Sequence, residues 1–381
     1  MAGVIVHEWI EKTGGAEKVL DAMSATFPDA DIRVLWSDDP TRYPDRHVQE
    51  SWIGRSPLRG RKVLALPVMP AAWRGLSSAR TYDWMLVSSH LFAHHARFRG
   101  ANRGIPKLVY AHTPARYIWT PELDQRGDGL IARAGSRLLK PLDRRRAGEA
   151  VSVAANSEFV RDRIRDTWGL DARVIYPPVD TERIQAVGNW VERLTAEEAQ
   201  TLAGLPSSFL LGASRFVPYK DLRRVIEAGE ATGLPVVLAG SGPEEGALRD
   251  LASRARMEVH FIMRPCDAML FSLYRSATAF VFPAVEDFGI MPVEAMACGT
   301  PVIAYEVGGA SESVRAIQGG ALVKEFDREE WRRALDEVQR VDRASLIERT
   351  SFFSTERFGQ QLHRWVAQST DLKVRAGSQH V

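Results

Sequence analysis

The sequence predicts two α/β domains, each built on a parallel sheet, and three observations carry that prediction. The 381 residues exceed one domain of ordinary size and suit two. Short apolar runs alternate with amphipathic helical stretches along the whole chain, the pattern of strand, helix and parallel strand. Near the middle, Arg173–Asp180 (RVIYPPVD) breaks a short strand with two consecutive prolines. Such a pair continues neither a central strand nor a helix, so it marks a linker.

Taken in order, Val4–Trp9 reads as the first strand. A Thr13-Gly14-Gly15 turn and an amphipathic helix to about Phe27 follow. Further strands are expected at Ile32–Trp36, Trp84–Ser88, Leu108–His112 and Val151–Ala155. Ser157 is placed to cap a helix through Arg161 and Ile164 that Gly169 stops. The second run has strands at Phe209–Leu211, Val236–Leu238, Val259–Ile262, Ala279–Phe282 and Val302–Ala304, with helices starting near Leu222, Glu245, Met269 and Pro292. Two helices, about Arg328–Val341 and Glu356–Gln368, close the chain, and the polar tail after Thr370 is expected to fray. The expected domains are 1–177, 178–350, and a last segment, 351–381, whose helix returns to the first domain.

Hydrophobic residues at 45% and charged residues at 26% place the chain among soluble globular proteins with a real core. No apolar run approaches the ~20 residues of a membrane-spanning helix. Val4-Ile5-Val6 starts a strand too early for a secretion signal. A cytoplasmic protein is expected, working at the inner face of the membrane if its acceptor is a lipid. Cys266 and Cys298 form no metal-ligand spacing and read as two semi-buried free thiols. Residues 1–178 hold 27 Lys and Arg against 20 Asp and Glu, whereas the remainder holds 23 against 28. The basic half suits an anionic membrane or a phosphorylated acceptor. Without zinc-finger, RNP-like or helix-turn-helix signatures, nucleic acid is not an expected partner.

Two constellations carry chemistry in the second half. Gly212-Ala213-Ser214-Arg215, with Lys220 five residues on, follows a strand and precedes a helix. The carboxyl ends of strands are where open α/β sheets bind ligands, and a small-residue turn lets backbone N–H groups approach a phosphate. Arg215 can grip phosphate bidentately and Lys220 can act as a point charge, offsetting a leaving diphosphate without a metal ion. Read structurally, the same residues are a solvated basic turn. Glu286-Asp287-Phe288-Gly289-Ile290-Met291-Pro292-Val293-Glu294 follows an apolar strand, with Pro292 in the first turn of a helix. Carboxylates accept paired hydrogen bonds from vicinal hydroxyls, so Glu286 and Glu294 could hold two diols around a helix N-terminus. Glu294 also suits simple stabilisation of the helix dipole.

The run from Glu286 to Glu294 resembles the E-x7-E signature of family 4 glycosyltransferases, a retaining group with the GT-B fold of two Rossmann-like domains facing each other across a cleft. Thr13-Gly14-Gly15-Ala16-Glu17 resembles that family's glycine loop, and Arg215 with Lys220 its diphosphate pair. Leu238-Ala239-Gly240-Ser241-Gly242-Pro243, Glu294-Ala295-Met296-Ala297-Cys298-Gly299-Thr300-Pro301-Val302 and Gly308-Gly309 also resemble family wording, in the family's order. The resemblance implies that Glu286 contacts donor sugar hydroxyls and Glu294 holds the ribose. It implies that Asp287, Phe288, Gly289 and Ile290 meet sugar or phosphate, that Gly15 beside Gly14 approaches the diphosphate, and that Ser214, Gly240 and Arg264 belong to the donor pocket. Met263 stands where the family often has glycine.

Tyr110-Ala111-His112-Thr113-Pro114-Ala115-Arg116-Tyr117-Ile118-Trp119 resembles a bacterial mannosyltransferase subgroup that uses GDP-mannose to build surface polysaccharides. The resemblance places His112 near the donor sugar and acceptor; its structural reading is a buried histidine at a strand end. His90, His94 and His95 look like a metal cluster, but no HExxH follows and the family needs no metal, so no cofactor is expected. His7 and Glu8, at the end of the first strand, remain unassigned. Basic Arg55–Lys62 with Leu64–Trp73, including Val68, Met69, Pro70 and Trp73, could rest on an anionic bilayer; Lys140–Arg146 is a second basic run. A retaining glycosyltransferase acting on a glycan or lipid-linked acceptor is expected, with domain closure excluding water. The alternatives are a UDP-sugar enzyme, a nucleotide-sugar epimerase or hydrolase, a non-catalytic nucleotide-sugar-binding protein and, last, an oxidoreductase, for which a GxGxxG is lacking.

Overall fold

The computed structural model describes residues 2–119 and 130–378. The chain forms two compact units, Met1–Pro178 with Glu356–Val381, and Val179–Thr355. The first holds seven strands: β1 (Gly3–His7), β2 (Asp31–Val34), β3 (Val48–Glu50), β4 (Trp84–Ser89), β5 (Lys107–Ala111), β6 (Ser152–Ala155) and β7 (Arg173–Val174). Their order is β3-β2-β1-β4-β5-β6-β7, and every pair is parallel. The second holds β8 (Leu210–Arg215), β9 (Val236–Ser241), β10 (Val259–Met263), β11 (Ala279–Phe282), β12 (Val302–Tyr305) and β13 (Gly320–Val323). These run parallel in the order β10-β9-β8-β11-β12-β13.

The strands are apolar because helices cover both faces. Val4 and Val6 pack into one cluster with Met85, Val87, Val109 and Val153, whereas Ile5 packs on the other face with Leu86, Leu108, Tyr110 and Ala154. Side chains alternate across a strand, so burial on both sides demands an unbroken apolar run. In the second unit Leu210, Leu238, Val281, Ile303 and Val323 share a cluster with the helix residues Val225, Ile226, Trp331 and Val338. Local capping agrees with the sequence: Ser157 Oγ accepts from Val160 N at 3.0 Å, and Gly169 ends that helix in the left-handed conformation.

The helix Thr355–Ser378 belongs to the first unit. Phe358, Leu362, Trp365 and Val366 form one helical stripe in the cluster that holds Trp84, Leu108 and Tyr110. The Trp365 indole donates to Ser152 Oγ at 2.8 Å.

Several expectations are corrected. β3 was not expected, because a half-buried edge strand with Gln49 and Glu50 carries no apolar run. β13 starts at a glycine, which reads as a turn. The last helix does not stop near Gln368 or fray after Thr370; its backbone continues to Ser378, and residues 379–381 lie outside the described residues. The cysteines are not both semi-buried: Cys266 is exposed and Cys298 buried. His94 and His95 sit on a 3-10 turn, Ala93–His95, not on an α-helical face. Within the stretch expected to touch a bilayer, Met69 and Trp73 turn into the core while Leu64 stays exposed, and Trp52 and Val63 outside it are exposed as well. Among the described residues no helix is long and apolar enough to cross a membrane.

The docking of the last helix is testable. Trp365→Ala should lower unfolding free energy by about 3–5 kcal/mol, the range for deleting a buried large aromatic. Equilibrium urea unfolding measures it, and a loss below about 1 kcal/mol would mean that the stripe does not dock as described.

Candidate active site

The second sheet has the order in which the third to first strands are followed by the fourth to sixth, so the chain reverses its direction of travel between β8 and β11. The loops leaving those two neighbouring strands diverge, and the crevice they open is where such sheets take ligands. Lys220 comes from the short turn Pro218–Lys220 after β8, and Glu286 from the loop after β11. Their side chains meet in an ion pair, Lys220 Nζ on Glu286 Oε1. The ammonium also lies 5.4 Å from the Tyr219 ring centre and 5.5 Å from that of Phe282. A nearly buried ammonium has lost most of its hydration, so a carboxylate and two ring faces are needed to hold it there.

Arg215, at the end of β8, is exposed, and its guanidinium donates to the Tyr219 hydroxyl at 2.6 Å. The helix Ile290–Ala297 points its N-terminus at the same strand ends, capped by Gly289 with φ 82°, a conformation that suits glycine. As glycine, the cap residue contributes no side-chain hydrogen bond to the first turn. Asp287 is half-buried before this helix, and Phe288 is buried, stacking edge-on with Phe353 at 5.7 Å. Glu294 is buried within the helix, close enough to Tyr274 to push its phenol pKa further up after burial. Gly309 N donates to Glu286 O at 2.7 Å, and a Cβ on Gly309 would strike the Asp287 carbonyl. The Gly308-Gly309 pair is therefore the floor on which the Glu286 loop rests.

Ser214 pairs with Gly240 across β8 and β9, and Arg264 N donates to Gly240 O at 3.0 Å. Arg264 is exposed with φ 46°, a left-handed conformation uncommon for arginine. Ser214, Arg215, Lys220, Gly240, Arg264 and Glu286 thus sit at or just beyond the carboxyl ends of β8 to β11.

The first unit repeats the reversal, here between β1 and β4. Gly14 and Gly15 open the helix Gly15–Thr26, where a Cβ on Gly14 would run into the Glu17 carboxylate. Burial raises the Glu17 pKa, and its Oε1 accepts from Glu11 N at 3.2 Å. His112 lies one residue beyond β5, its backbone N donating to Ser89 O at 2.8 Å. Its Nε2 lies 2.8 Å from Ser88 Oγ, which lies 2.9 Å from His7 Nδ1. The sequence alone does not single out Ser88 and gives His7 no role. The available signal was a histidine at the end of the first strand and a serine pair at the end of another.

A second buried network adjoins it. Asp143 Oδ1 lies 3.0 Å from His94 Nε2 and 3.0 Å from His95 Nε2. Its Oδ2 accepts the indole N–H groups of Trp119 and Trp168, each at 2.8 Å. Burial opposes ionisation of Asp143, but His94 and His95 outweigh it and hold the carboxyl well below its ordinary range. His94 Nδ1 reaches Ser89 Oγ at 3.2 Å, and Ser89 donates to Glu8 Oε1 at 3.3 Å. Glu8 Oε1 also accepts from Leu91 N at 2.9 Å and Ala93 N at 2.7 Å. Two imidazoles and a carboxylate are also a donor set for a transition metal. With two indoles on Oδ2 and both imidazoles already within hydrogen-bond distance of Oδ1, the cluster reads as a tether joining four segments. Asp143 was hidden in the sequence as the single acid of the basic run Lys140–Arg146.

Two family descriptions tile most of the chain: "Glycosyltransferase Family 4" matches residues 13–183 and "Glycosyl transferases group 1" matches 195–350. The chain belongs to glycosyltransferase family 4. It is 32% identical over 292 residues to a D-inositol 3-phosphate glycosyltransferase of Streptomyces bingchenggensis, covering 69% of this chain and 60% of that protein. It is 26% identical over 231 residues to the alpha-1,3/1,6-mannosyltransferase alg-2 of Neurospora crassa, covering 50% of this chain and 48% of that one. The chain thus spans less than two thirds of the length of these curated relatives. Among solved structures, Anabaena Alr3699/HepE in complex with UDP superposes with a TM-score of 0.68 at 18% identity, covering 97% of this chain and 100% of that chain. The lipopolysaccharide outer core galactosyltransferase WaaB superposes with a TM-score of 0.67 at 16% identity, covering 97% and 99%. The fold is GT-B.

The buried histidines give this family 4 protein a pH signature. Burial, then the charges of His112 and Arg42, pull the His7 pKa down from 6.5 to about 3. Burial and then His94 take His95 from 6.5 to about 4, and burial takes His90 well below 6.5. The unfolded chain therefore binds more protons than the fold between about pH 6.5 and 4. The stability these neutral histidines allow is complete above 6.5 and is lost as pH falls. Glu8 and Glu17, both raised by burial, work in the opposite direction, two groups against three. Each histidine contributes a slope of up to about 1.4 kcal/mol per pH unit in that window. Urea unfolding at pH 7 and pH 5 should show a clear loss at pH 5; a flat profile would mean that these rings are open to protonation in the fold.

Proposed function

We propose that this protein is a retaining nucleotide-sugar-dependent glycosyltransferase that moves mannose from GDP-mannose to a hydroxyl of a glycan or lipid-linked acceptor, on the cytoplasmic side of the membrane. The observation that carries this reading is the Lys220–Glu286 pair at the strand reversal, with Arg215 and the glycine-capped N-terminus of the helix Ile290–Ala297 in the same loops. A diphosphate has the higher charge density and competes with Glu286 for the Lys220 ammonium. Its arrival leaves the Glu286 carboxylate to accept from the sugar hydroxyls. Glu294 takes the ribose diol, and the N–H groups at Phe288, Gly289 and Ile290 take phosphate oxygen. Ser214, Gly240 and Arg264 line the nucleotide, with Asp287.

As the bond between the anomeric carbon and phosphate oxygen breaks, negative charge builds on that oxygen, and Arg215, Lys220 and the helix N-terminus stabilise it. These cations carry the charge without an obligatory metal ion. The acceptor hydroxyl attacks from the face the diphosphate leaves. Its proton passes to the departing phosphate oxygen, so the anomeric configuration is retained and no enzyme nucleophile is consumed. His112 orients sugar or acceptor by hydrogen bonding. The donor choice is supported by the wording around His112 and by the mannosyltransferase relative. A UDP-sugar is the second reading, favoured by the neighbouring solved structure in complex with UDP-glucose.

The basic first unit supports contact with anionic lipid. Trp52, Val63 and Leu64 are more than half exposed within one tightly wound segment that also exposes Arg55, Arg59 and Arg61. Apolar side chains among cations match the acyl boundary and headgroups of an anionic bilayer.

Lys220→Ala and Arg215→Ala should each lower kcat by roughly 100-fold or more, and Glu286→Ala should abolish transfer. Full activity of Glu286→Ala would sink the site. GDP and GDP-mannose should raise the melting temperature while UDP does not; the reverse selects the UDP-sugar reading, and EDTA should leave transfer intact. Vesicles of phosphatidylglycerol should sediment the protein, and Val63→Glu with Leu64→Glu should release it. Equal recovery with neutral phosphatidylcholine vesicles, or no effect of the substitutions, would remove the membrane contact.

A further inference from the structure

Strand β2 breaks the rule that shapes its neighbours. It lies inside the sheet, between β3 and β1, and all four of its residues are buried, yet its sequence Asp31-Ile32-Arg33-Val34 carries two charges. Ile32 and Val34 join the apolar cluster on one face, so Asp31 and Arg33 point to the other. There the Asp31 carboxylate is already taken. Arg80 donates to its Oδ1 at 2.9 Å and the Tyr82 hydroxyl to its Oδ2 at 2.5 Å. Arg33, only 3% exposed, donates from Nη2 to the Tyr82 oxygen at 3.0 Å. Its Nε and Nη1 have no hydrogen-bond partner among the described residues. Two guanidinium groups thus share one carboxylate, and a surplus positive charge is left in a nearly sealed place. Burying a charge is costly unless it is paired and hydrogen-bonded, and orphaned buried N–H groups are rare.

Arg33 forms part of the wall of a cavity of about 700 Å³, together with Asp31, Arg80, His47, Gln49 and Ser77. Register pairs Arg33 with Gln49 of β3. Asp31 and Val48 open their strands and Ser77–Arg80 precede β4, so the cavity lies towards the amino ends of β2, β3 and β4. His7, Ser88 and His112 lie at the carboxyl ends of their strands, at the other edge of the sheet. The wall offers guanidinium, imidazole, carboxamide and hydroxyl groups from three segments of chain, and its single acid is spent on Arg80 and Tyr82. Donors from several directions suit a tetrahedral oxyanion with three or four acceptor oxygens better than a carboxylate with two. The volume matches small-ligand sites and leaves room for the organic body that carries the anion.

We propose that this cavity binds the phosphate group of a small phosphorylated molecule, whose charge completes the cluster of Arg33, Arg80 and Asp31. A phosphate seated against Arg33 supplies the counter-charge that the chain itself lacks, so its binding stabilises the first unit.

The test is the melting temperature of the full chain at pH 7.5, with inorganic phosphate titrated against sodium chloride of equal ionic strength. Phosphate should raise it by roughly 2 °C or more, and acetate by less than half as much. Gln49→Glu places a carboxylate beside Arg33 from within the chain. It should raise the melting temperature in chloride alone and remove most of the phosphate shift. Arg80→Gln leaves Asp31 to Arg33, removes the surplus charge, and should also lose most of the shift. Both substitutions fall on exposed side chains. Arg215→Ala should keep at least half of the shift, because Arg215 belongs to the other unit. Glycerol 3-phosphate should act at least as well as inorganic phosphate. A phosphate shift no larger than that of chloride, or one as large in Gln49→Glu as in the unsubstituted protein, overturns the site. Loss of the shift in Arg215→Ala would move the binding to the second unit and overturns it equally. An acetate shift equal to that of phosphate, or no response to glycerol 3-phosphate, overturns the ligand class.

Discussion

The reversal of strand order in a parallel sheet is the constraint on which the rest depends. Connections in such sheets are right-handed, so a chain that starts in the middle and builds outward both ways leaves two neighbouring strands whose exits diverge. Both sheets here do this, at β8 and β11 in one and β1 and β4 in the other. These two points are where polar side chains from strand ends and the loops after them come together. Lys220 with Glu286, and His7 with Ser88 and His112, occupy them.

Three buried polar groupings show how similar residue types come to different ends. Asp143 is wholly buried and receives two imidazoles and two indoles, so its charge is spent on joining helices to a turn. Lys220 is nearly as buried, but its partner Glu286 is half-exposed, and a pair open on one side can exchange its carboxylate for a stronger anion. The His7–Ser88–His112 chain lies between these cases: sealed at His7, half-buried at His112.

The fold class was legible in the sequence because parallel strands buried on both faces must be continuously apolar, as Val4-Ile5-Val6 and Ala279–Phe282 are. β3 was not legible, since an edge strand with Gln49 and Glu50 owes its conformation to its neighbour and not to its own pattern. The segment Val68–Trp73 misled for the converse reason. Trp73 and Met69 look like a membrane face by composition, yet a short helix cannot declare which side its partner lies on. The Glu286–Glu294 spacing stood out because a helix start, a glycine and two acids follow a buried strand.

By itself the sequence determined the parallel α/β architecture, the family wording, and the residue types available at each strand end, because these follow from periodicity and local order along the chain. Only the tertiary structure decided which of those residues meet. Lys220 and Glu286 are 66 positions apart, and His7 and Ser88 are 81 apart. Strand order and register bring them within hydrogen-bonding reach, and neither can be read from local spacing, since any parallel order would bury the same apolar runs equally well.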